Sequence, residues 1–227
     1  MGDWPRPLRI IAESFWPMLR SGLLLTMPMT VASFGVGLVI ACAAAFMRLS
    51  KMAPLRKAAA CYVWVFRGTP LLVQLYIVFF GLPGIGIRLG AITSAVAAFS
   101  LNVGAYCSET IRSSVLAIQK GQWEAAYSLG LTKWQTLRRV IAPQSFAIAL
   151  PPLSNTFISL VKDTSLAANI TIAEMFQTTQ RIAARTYEPM LLYCLVALIY
   201  LAFCTVLTVL QGKLEKLLSK GRDSGAA

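Results

Sequence analysis

Five stretches of this 227-residue chain carry no charged side chain over lengths that cross a bilayer, and they constrain the fold more than any motif does: residues 21–47, 68–87, 89–108, 140–161 and 189–212. At ~1.5 Å of rise per helical residue, each spans a hydrocarbon core of ~30 Å. Backbone N–H and C=O groups have no water to bond in lipid, so such segments close their hydrogen bonds internally as helices. They are too long and too unalternating for barrel strands. The expected fold class is therefore all-α, a polytopic membrane protein with five transmembrane helices forming a single domain over residues 1–227. Composition agrees, since 57% hydrophobic and 13% charged residues leave more apolar surface than a soluble domain hides.

The net charge of +12 gains its meaning from where the 21 basic residues fall. Arg48, Lys51, Arg56 and Lys57 follow the first run; Arg112, Lys120, Lys133, Arg138 and Arg139 separate the third from the fourth; Lys213, Lys216, Lys220 and Arg222 make the tail. These alternate segments hold most of the basic residues and so mark the cytoplasmic side, which places the N-terminus outside and the C-terminus inside. The basic excess thus orients the chain in its lipid bilayer, and no nucleic acid is expected as a partner. Trp4-Pro-Arg-Pro7 leads into a mixed segment with Glu13 and no evident cleavage site, so the first helix is expected to remain as its own insertion signal. Cys42, Cys61, Cys107, Cys194 and Cys204 lie in or beside apolar runs without a Cys-x-x-Cys pair, and read as packing residues. The chain has no histidine and no Gly-x-x-x-x-Gly-Lys-Ser/Thr cradle, so no catalytic residue, metal site or cofactor is expected, and any ATP chemistry belongs to a partner.

The basic segment at residues 120–143 is built as helix and not as a tether. Glu124 is expected in the first turn of a short helix, where a carboxylate favours the dipole, and Gly130 is placed to end it. Thr132-Lys-Trp-Gln135 matches a capping box, with Leu131, Trp134, Leu137 and Ile141 at helical spacing until Pro143. A helix under ~12 residues is marginal alone in water, so one carrying Trp123, Tyr127 and Leu129 needs a surface. That surface is either a cytoplasmic protein or the lipid headgroups.

The pattern Glu124-Ala125-Ala126, Gly130 and then Val140-Ile-Ala-Pro143 resembles the coupling-loop signature of permease subunits of binding-protein-dependent ABC importers. Phe66-Arg-Gly-Thr-Pro-Leu-Leu-Val-Gln74 and Ile158-Ser-Leu-Val-Lys-Asp-Thr-Ser-Leu166 resemble segments of the polar amino acid subfamily, and Gly121-Gln-Trp-Glu-Ala-Ala126 with Leu150-Pro-Pro-Leu-Ser-Asn155 is similar in wording to cystine permeases. The resemblance implies a type I ABC importer permease fold in the bacterial cytoplasmic (inner) membrane, pairing as a homodimer or heterodimer. Its implied partners are two cytoplasmic ABC ATPases and an extracytoplasmic solute-binding protein, and its implied cargo a polar amino acid, L-cystine among them. It assigns ATPase coupling to Trp123, Glu124, Ala125, Ala126, Gly130 and Pro143. The Gln122–Gly130 segment would seat in an ATPase groove and transmit its closure as a rigid body.

The path itself should show as charges placed where lipid penalises them. Arg67, about ten residues beyond Lys57, is expected near mid-membrane, where an arginine costs roughly 2.5–3.5 kcal/mol on insertion scales and so faces an interior, a cavity or an acid such as Glu109. Arg67 or Glu109 would meet the charged ends of a zwitterionic amino acid with Thr69, Asn102 and Asn155 donating or accepting hydrogen bonds; alternatively Arg67 and Glu109 simply pair. Lys162 and Asp163 end the fourth run as a pore-mouth pair or a membrane-boundary pair, and Pro151-Pro152 reads as a hinge or a fixed kink. Thr171-Ile-Ala-Glu174 matches a second capping box, opening an outer amphipathic segment toward Arg185 that either docks the binding protein, with the loop at 84–88, or covers the bundle. The tail leucines 214, 217 and 218 read as an interfacial helix. Two rivals are a stand-alone secondary transporter or channel subunit, which would have no use for the 122–130 loop, and an intramembrane hydrolase using Glu109 or Asp163, which the missing histidine opposes.

Overall fold

A computed structural model describes residues 5–223, with side chains described through residue 216. The tail residues Leu217, Leu218 and Lys220 thus lie outside the described side chains. Among the described residues there is no strand. The helices are α1 (Arg6–Ser21), α2 (Met27–Leu49), α3 (Ala53–Gly68), α4 (Leu71–Tyr76), α5 (Ala91–Leu116), α6 (Lys120–Ser128), α7 (Lys133–Thr136), α8 (Ala142–Asp163), α9 (Met175–Thr186) and α10 (Pro189–Asp223).

Prolines punctuate this chain in a consistent way. Among the described residues three wide, π-type turns occur, at Gly22–Thr26, Ile77–Gly81 and Leu137–Ile141. Each is closed by the amide of the next residue reaching back five positions: Met27 to Gly22 O, Leu82 to Ile77 O, Ala142 to Leu137 O. In all three cases the following residue is proline, namely Pro28, Pro83 and Pro143. A proline lacks the N–H of the helical ladder, and its ring crowds the carbonyl four residues back. Widening the preceding turn moves that carbonyl aside without breaking the helix. Hence α1 runs on into α2, and the segment after α7 runs on into α8.

Among the described residues, three helical stretches are long and apolar enough to span a membrane: Arg6–Leu49 of 44 residues, Ala91–Leu116 of 26 and Pro189–Lys216 of 28. They correspond to the first, third and fifth uncharged runs. The second run does not form the continuous helix expected over 68–87. Proline disfavours the helical region for its predecessor, and Thr69, before Pro70, is extended at φ −119° and ψ 146°, which ends α3 at Gly68. The helices on either side of that break together pass for a fourth, broken span. The fourth run folds into α8, 22 residues long, where Gln144, Ser145, Ser154 and Asn155 dilute the apolar character. The tail is not a separate helix, because α10 continues through it to Asp223.

The chain divides into two compact units. The first comprises the chain up to Gly35, Pro70–Phe99 and Ile158–Thr208. Its core is an apolar cluster of Ile10, Met18, Met175, Ala183, Leu192, Val196 and Ile199. α1 presents Ile10, Ser14 and Met18, and α9 presents Met175, Thr179 and Ala183, each set one helical turn apart. Ser21 Oγ and Thr178 Oγ1, 2.9 Å apart, add a hydrogen bond between them. The second unit comprises Val36–Thr69, Ser100–Phe157 and the chain from Val209. Small residues dominate its interior, including Ala41, Ala44, Ala45, Ala105, Cys107 and Ser108. Lipid tails are as apolar as leucine, so close backbone approach and dispersion hold such helices together. At Gly104 a Cβ would stand 2.6 Å from the Tyr62 hydroxyl and 2.7 Å from Ile40 Cγ2, which only glycine permits. Of the five cysteines only Cys107 is buried; Cys42, Cys61 and Cys194 are exposed and Cys204 is half-buried, so the packing role expected for all five holds for one.

Candidate functional site

The 120–143 segment folds as two short helices around a glycine corner. α6 ends in a Schellman arrangement: Leu131 N–H donates to Ala126 O at 3.2 Å and Gly130 N–H to Tyr127 O at 2.9 Å, while Leu129 N–H reaches Ala125 O at 3.1 Å. Gly130 sits at φ +75°, the left-handed region, with nothing within 4 Å of where a Cβ would be. Backbone conformation, and not space, therefore demands glycine. Ala125 and Ala126 supply carbonyls to this cap, and the Ala126 side chain is buried. α7 opens with the expected capping box: Thr132 Oγ1 accepts from Gln135 N, and Gln135 Oε1 accepts from Thr132 N. Gln144 of α8 donates to Gln122 Oε1 at 3.2 Å and to Val140 O at 2.9 Å, tying the start of α6 to the start of α8.

Two expectations change here. α6 begins at Lys120 with no acidic residue in its first turn, so Glu124 sits a turn further in, exposed, and the dipole reason for it lapses. Pro143 does not end the helix; it enters the first turn of α8 directly after the wide turn at Leu137–Ile141. Trp123 is half-buried, whereas Tyr127, Leu129 and Trp134 are 44%, 81% and 65% exposed. Three large apolar side chains thus stand on a corner that is itself fixed.

The polar residues of the second unit gather along one face of α5. Asn102, Tyr106 and Glu109 follow at helical spacing. Asn102 Nδ2 donates to Phe66 O at 3.3 Å, Thr69 Oγ1 donates to Val65 O at 2.8 Å, and the Arg67 guanidinium lies 5.2 Å over the Tyr106 ring, all at the C-terminal end of α3. The expected Arg67–Glu109 pair does not form. Glu109 is instead held by Arg48 from the end of α2 and by Arg112 one turn along α5, whose Nε lies 3.1 and 3.2 Å from the two carboxylate oxygens. Local spacing wins for Arg112, because residues three apart on a helix are neighbours, and the α2 terminus delivers Arg48. Asn155 Oδ1 accepts from Gln211 Nε2 at 3.2 Å, and the same Nε2 lies 3.4 Å from Pro151 O, so α10 grips α8 beside its two prolines.

Lys162 and Asp163 belong to the first unit. Lys162 and Ser165 line a cavity of about 560 Å³ with Phe176, Tyr193, Tyr200 and Cys204, a size and an aromatic lining with one cation that suit a small ligand. Close by, the fully buried Glu174 accepts from Phe176 N at 2.9 Å, Gln177 N at 2.7 Å and the Tyr200 hydroxyl at 3.2 Å. It is itself the N-cap of α9, replacing the expected Thr171 cap. Burial pushes its carboxyl above the usual range, against the pull of the two amides and the phenol. Thr171 instead closes the preceding 3₁₀ turn at φ +68°.

The sequence-predicted path residues are therefore divided: Arg67, Thr69, Asn102, Glu109 and Asn155 lie in the second unit, Lys162 and Asp163 in the first. Sequence reasoning missed Tyr106, Arg48 and Gln211 as partners. Tyr106 was detectable as the residue between Asn102 and Glu109 on one helical face, and Gln211 as the lone amide of the last apolar run; Arg48 gave no signal. No group of three His, Cys, Asp or Glu residues able to hold a metal occurs among the described residues.

A family model described as binding-protein-dependent transport system inner membrane component matches residues 14–220. The L-cystine transport system permease protein TcyB of Bacillus subtilis (strain 168) is 49% identical over 94% of this chain and 92% of its own length. The probable amino-acid ABC transporter permease protein YckA of the same organism is 46% identical over 92% of each. A crystal structure of an amino acid ABC transporter with histidines superposes with a TM-score of 0.86 at 33% identity, covering 94% of this chain and 99% of that one.

Proposed function

Because the chain belongs to the family of binding-protein-dependent transport system inner membrane components, we propose that it is the membrane-spanning permease subunit of an ATP-driven amino acid importer, with L-cystine as cargo. The observation that carries this reading is the corner at residues 120–143: a glycine-closed, doubly capped helix pair displaying Tyr127, Leu129 and Trp134. Likeness to a cystine permease at 49% identity supports the substrate. ATP hydrolysis belongs to a separate ATPase subunit.

In this reading five spans cross the bacterial inner membrane with the N-terminus outside, and two permease subunits complete the path. Leu129 and Trp134, with Trp123 and Glu124 beside them, seat in a groove on the ATPase. Ala125, Ala126 and Gly130 fix the corner, and Pro143 with Gln144 joins it to α8. Closure of the ATPases then moves α8 as a rigid element. Arg67, Asn102, Thr69 and Glu109 line the inner part of the path and Asn155 adjoins it. Lys162 faces the cavity of the first unit, where its ammonium suits the carboxylate of an amino acid, with Asp163 at the end of the same helix.

The test is a photo-crosslinker placed at Leu129 in the assembled importer. The expected result is a crosslink to the ATPase that strengthens or weakens with nucleotide, together with ATP-dependent uptake of labelled cystine. A crosslink to lipid alone in a complex that still transports would overturn the coupling reading; uptake of other amino acids in preference to cystine would overturn the substrate.

A further inference from the structure

The break after Gly68 leaves the C-terminus of α3 inside the fourth, broken span. Open backbone at membrane depth is tolerated only where it is buried in protein or lines a watery cavity, and Arg67, Gly68 and Thr69 are all exposed on this chain. The last four carbonyls of a helix have no intrahelical donor. Two of them find one here: Val65 O accepts from Thr69 Oγ1 at 2.8 Å, and Phe66 O from Asn102 Nδ2 at 3.3 Å. Arg67 O and Gly68 O accept no hydrogen bond among the described residues. Tyr62 donates its hydroxyl to Leu101 O at 2.6 Å, which fixes α3 on α5 just before this end.

Two side-chain facts give the end its chemistry. The Arg67 guanidinium lies 5.2 Å over the Tyr106 ring, a contact with the ring face that engages none of its five N–H donors, and it forms no ion pair or hydrogen bond among the described residues. The carboxylate one turn beyond Tyr106 on α5 does not compete for it, because Glu109 is held by Arg48 and by Arg112, whose Nε lies 3.1 and 3.2 Å from its two oxygens. Gly68 is the second fact. Nothing lies within 4 Å of where its Cβ would stand, and its φ is outside the left-handed region. Alanine is the better helix former, so neither backbone conformation nor packing within this chain calls for glycine. A glycine of that kind leaves the backbone open to close approach by something else.

We propose that the C-terminal end of α3 is a head-group site for a zwitterionic α-amino acid: the Arg67 guanidinium takes the carboxylate, the Arg67 and Gly68 carbonyls take the ammonium, and Tyr106 holds the guanidinium in place. This deepens the permease reading above and rests on it. An arginine fork binds a carboxylate through two parallel N–H···O bonds, whereas the partial negative charge of a helix C-terminus suits a cation. Broken helices of transporters present such ends to their cargo. Donor and acceptors here belong to consecutive residues, matching an ammonium and a carboxylate that share one carbon. Because the Tyr106 ring already orients the guanidinium, less side-chain freedom is lost on binding. An arginine serving only to complement the helix dipole would account for the cation and not for the glycine beside it.

The test is equilibrium binding of labelled L-cystine to the complete permease and ATPase complex in nanodiscs, without nucleotide or binding protein. Saturable binding is expected, displaced by unlabelled cystine but roughly tenfold less well by cystamine, which lacks both carboxylates, and by dithiodipropionate, which lacks both ammonium groups. Arg67→Gln is expected to weaken cystine binding roughly tenfold or more and to remove its advantage over cystamine, while Arg67→Lys recovers part of the affinity. Gly68→Ala is expected to weaken binding by about the same factor at an equal or higher thermal midpoint, since the added methyl meets nothing in this chain. Full cystine affinity in either Arg67→Gln or Gly68→Ala, equal displacement by all three compounds, or no saturable binding overturns the site. So does loss of permease pairing in the Gly68→Ala complex, which would show that a second copy packs against the glycine. ATP-driven cystine uptake by the wild-type importer with its binding protein is followed separately: its absence sinks the permease reading, whereas uptake that persists beside normal binding by the variants sinks the site alone.

Discussion

Gly130 holds its corner by backbone conformation, which makes the cost of replacing it calculable. A side chain at φ +75° with open space around it meets strain of about 1–2 kcal/mol and no clash. Gly130→Val is therefore expected to leave the protein folded and inserted while opening the α6–α7 corner and cutting ATP-driven uptake at least tenfold. Normal uptake at normal membrane abundance would refute the corner's role. Glu109 makes a different kind of contribution, since one carboxylate separates two guanidinium groups that are each about a quarter exposed. Glu109→Gln leaves Arg48 and Arg112 facing each other, with an expected loss of about 1–2 kcal/mol, lower than for a fully buried pair. The measurement is the thermal midpoint in detergent. Adding Arg48→Met should recover part of the loss, and the absence of any recovery would show that the Arg48 contact contributes nothing.

The three wide turns show how single prolines shape whole helices. Each precedes a proline by one residue, and the two before Pro28 and Pro143 let a helix continue, whereas the one before Pro83 leads only into a short 3₁₀ turn that closes at Gly86. Pro143 matters most, because its turn is the joint between the α6–α7 corner and α8. Pro143→Ala restores an amide hydrogen bond donor and removes the crowding, so the expected change is a regular helical turn there, a higher thermal midpoint, and reduced uptake as the corner rotates relative to α8. Unchanged uptake alongside raised stability would show that the wide turn is a tolerated defect and not part of the transmission. Thr69–Pro70 works the other way. With no turn to widen on a continuing helix, the residue before proline goes extended and α3 stops.

For the whole molecule, α5 is the most enclosed of the candidate spans and α10 the most exposed. Large apolar side chains such as Val39, Trp64, Ile77 and Leu201 are exposed on the surface. A chain organised in this way spends its length on lipid-embedded helices and carries no phosphate cradle of its own. In liposomes without ATPase and binding protein it is expected to show no concentrative cystine uptake, even with a proton or sodium gradient imposed. Gradient-driven accumulation by the chain alone would favour the secondary transporter.

Hydropathy and turn chemistry act over a few residues, which is why the helical class, the capping box at Thr132–Gln135 and the glycine corner were all readable from the chain itself. Partner choice acts across tens of residues. Glu109 could be assigned an arginine from sequence, but only packing of the α2 terminus against α5 selected Arg48 over Arg67 and left Arg67 over Tyr106. Glu174 reads in sequence as the fourth residue of a capping box begun by Thr171, and the structure buries it as the cap itself because two backbone amides and the Tyr200 hydroxyl, 26 residues further along, converge on it. Local patterns determine where helices exist, since their hydrogen bonds close within one segment; which side chains meet depends on how separate segments pack, and no single segment encodes that.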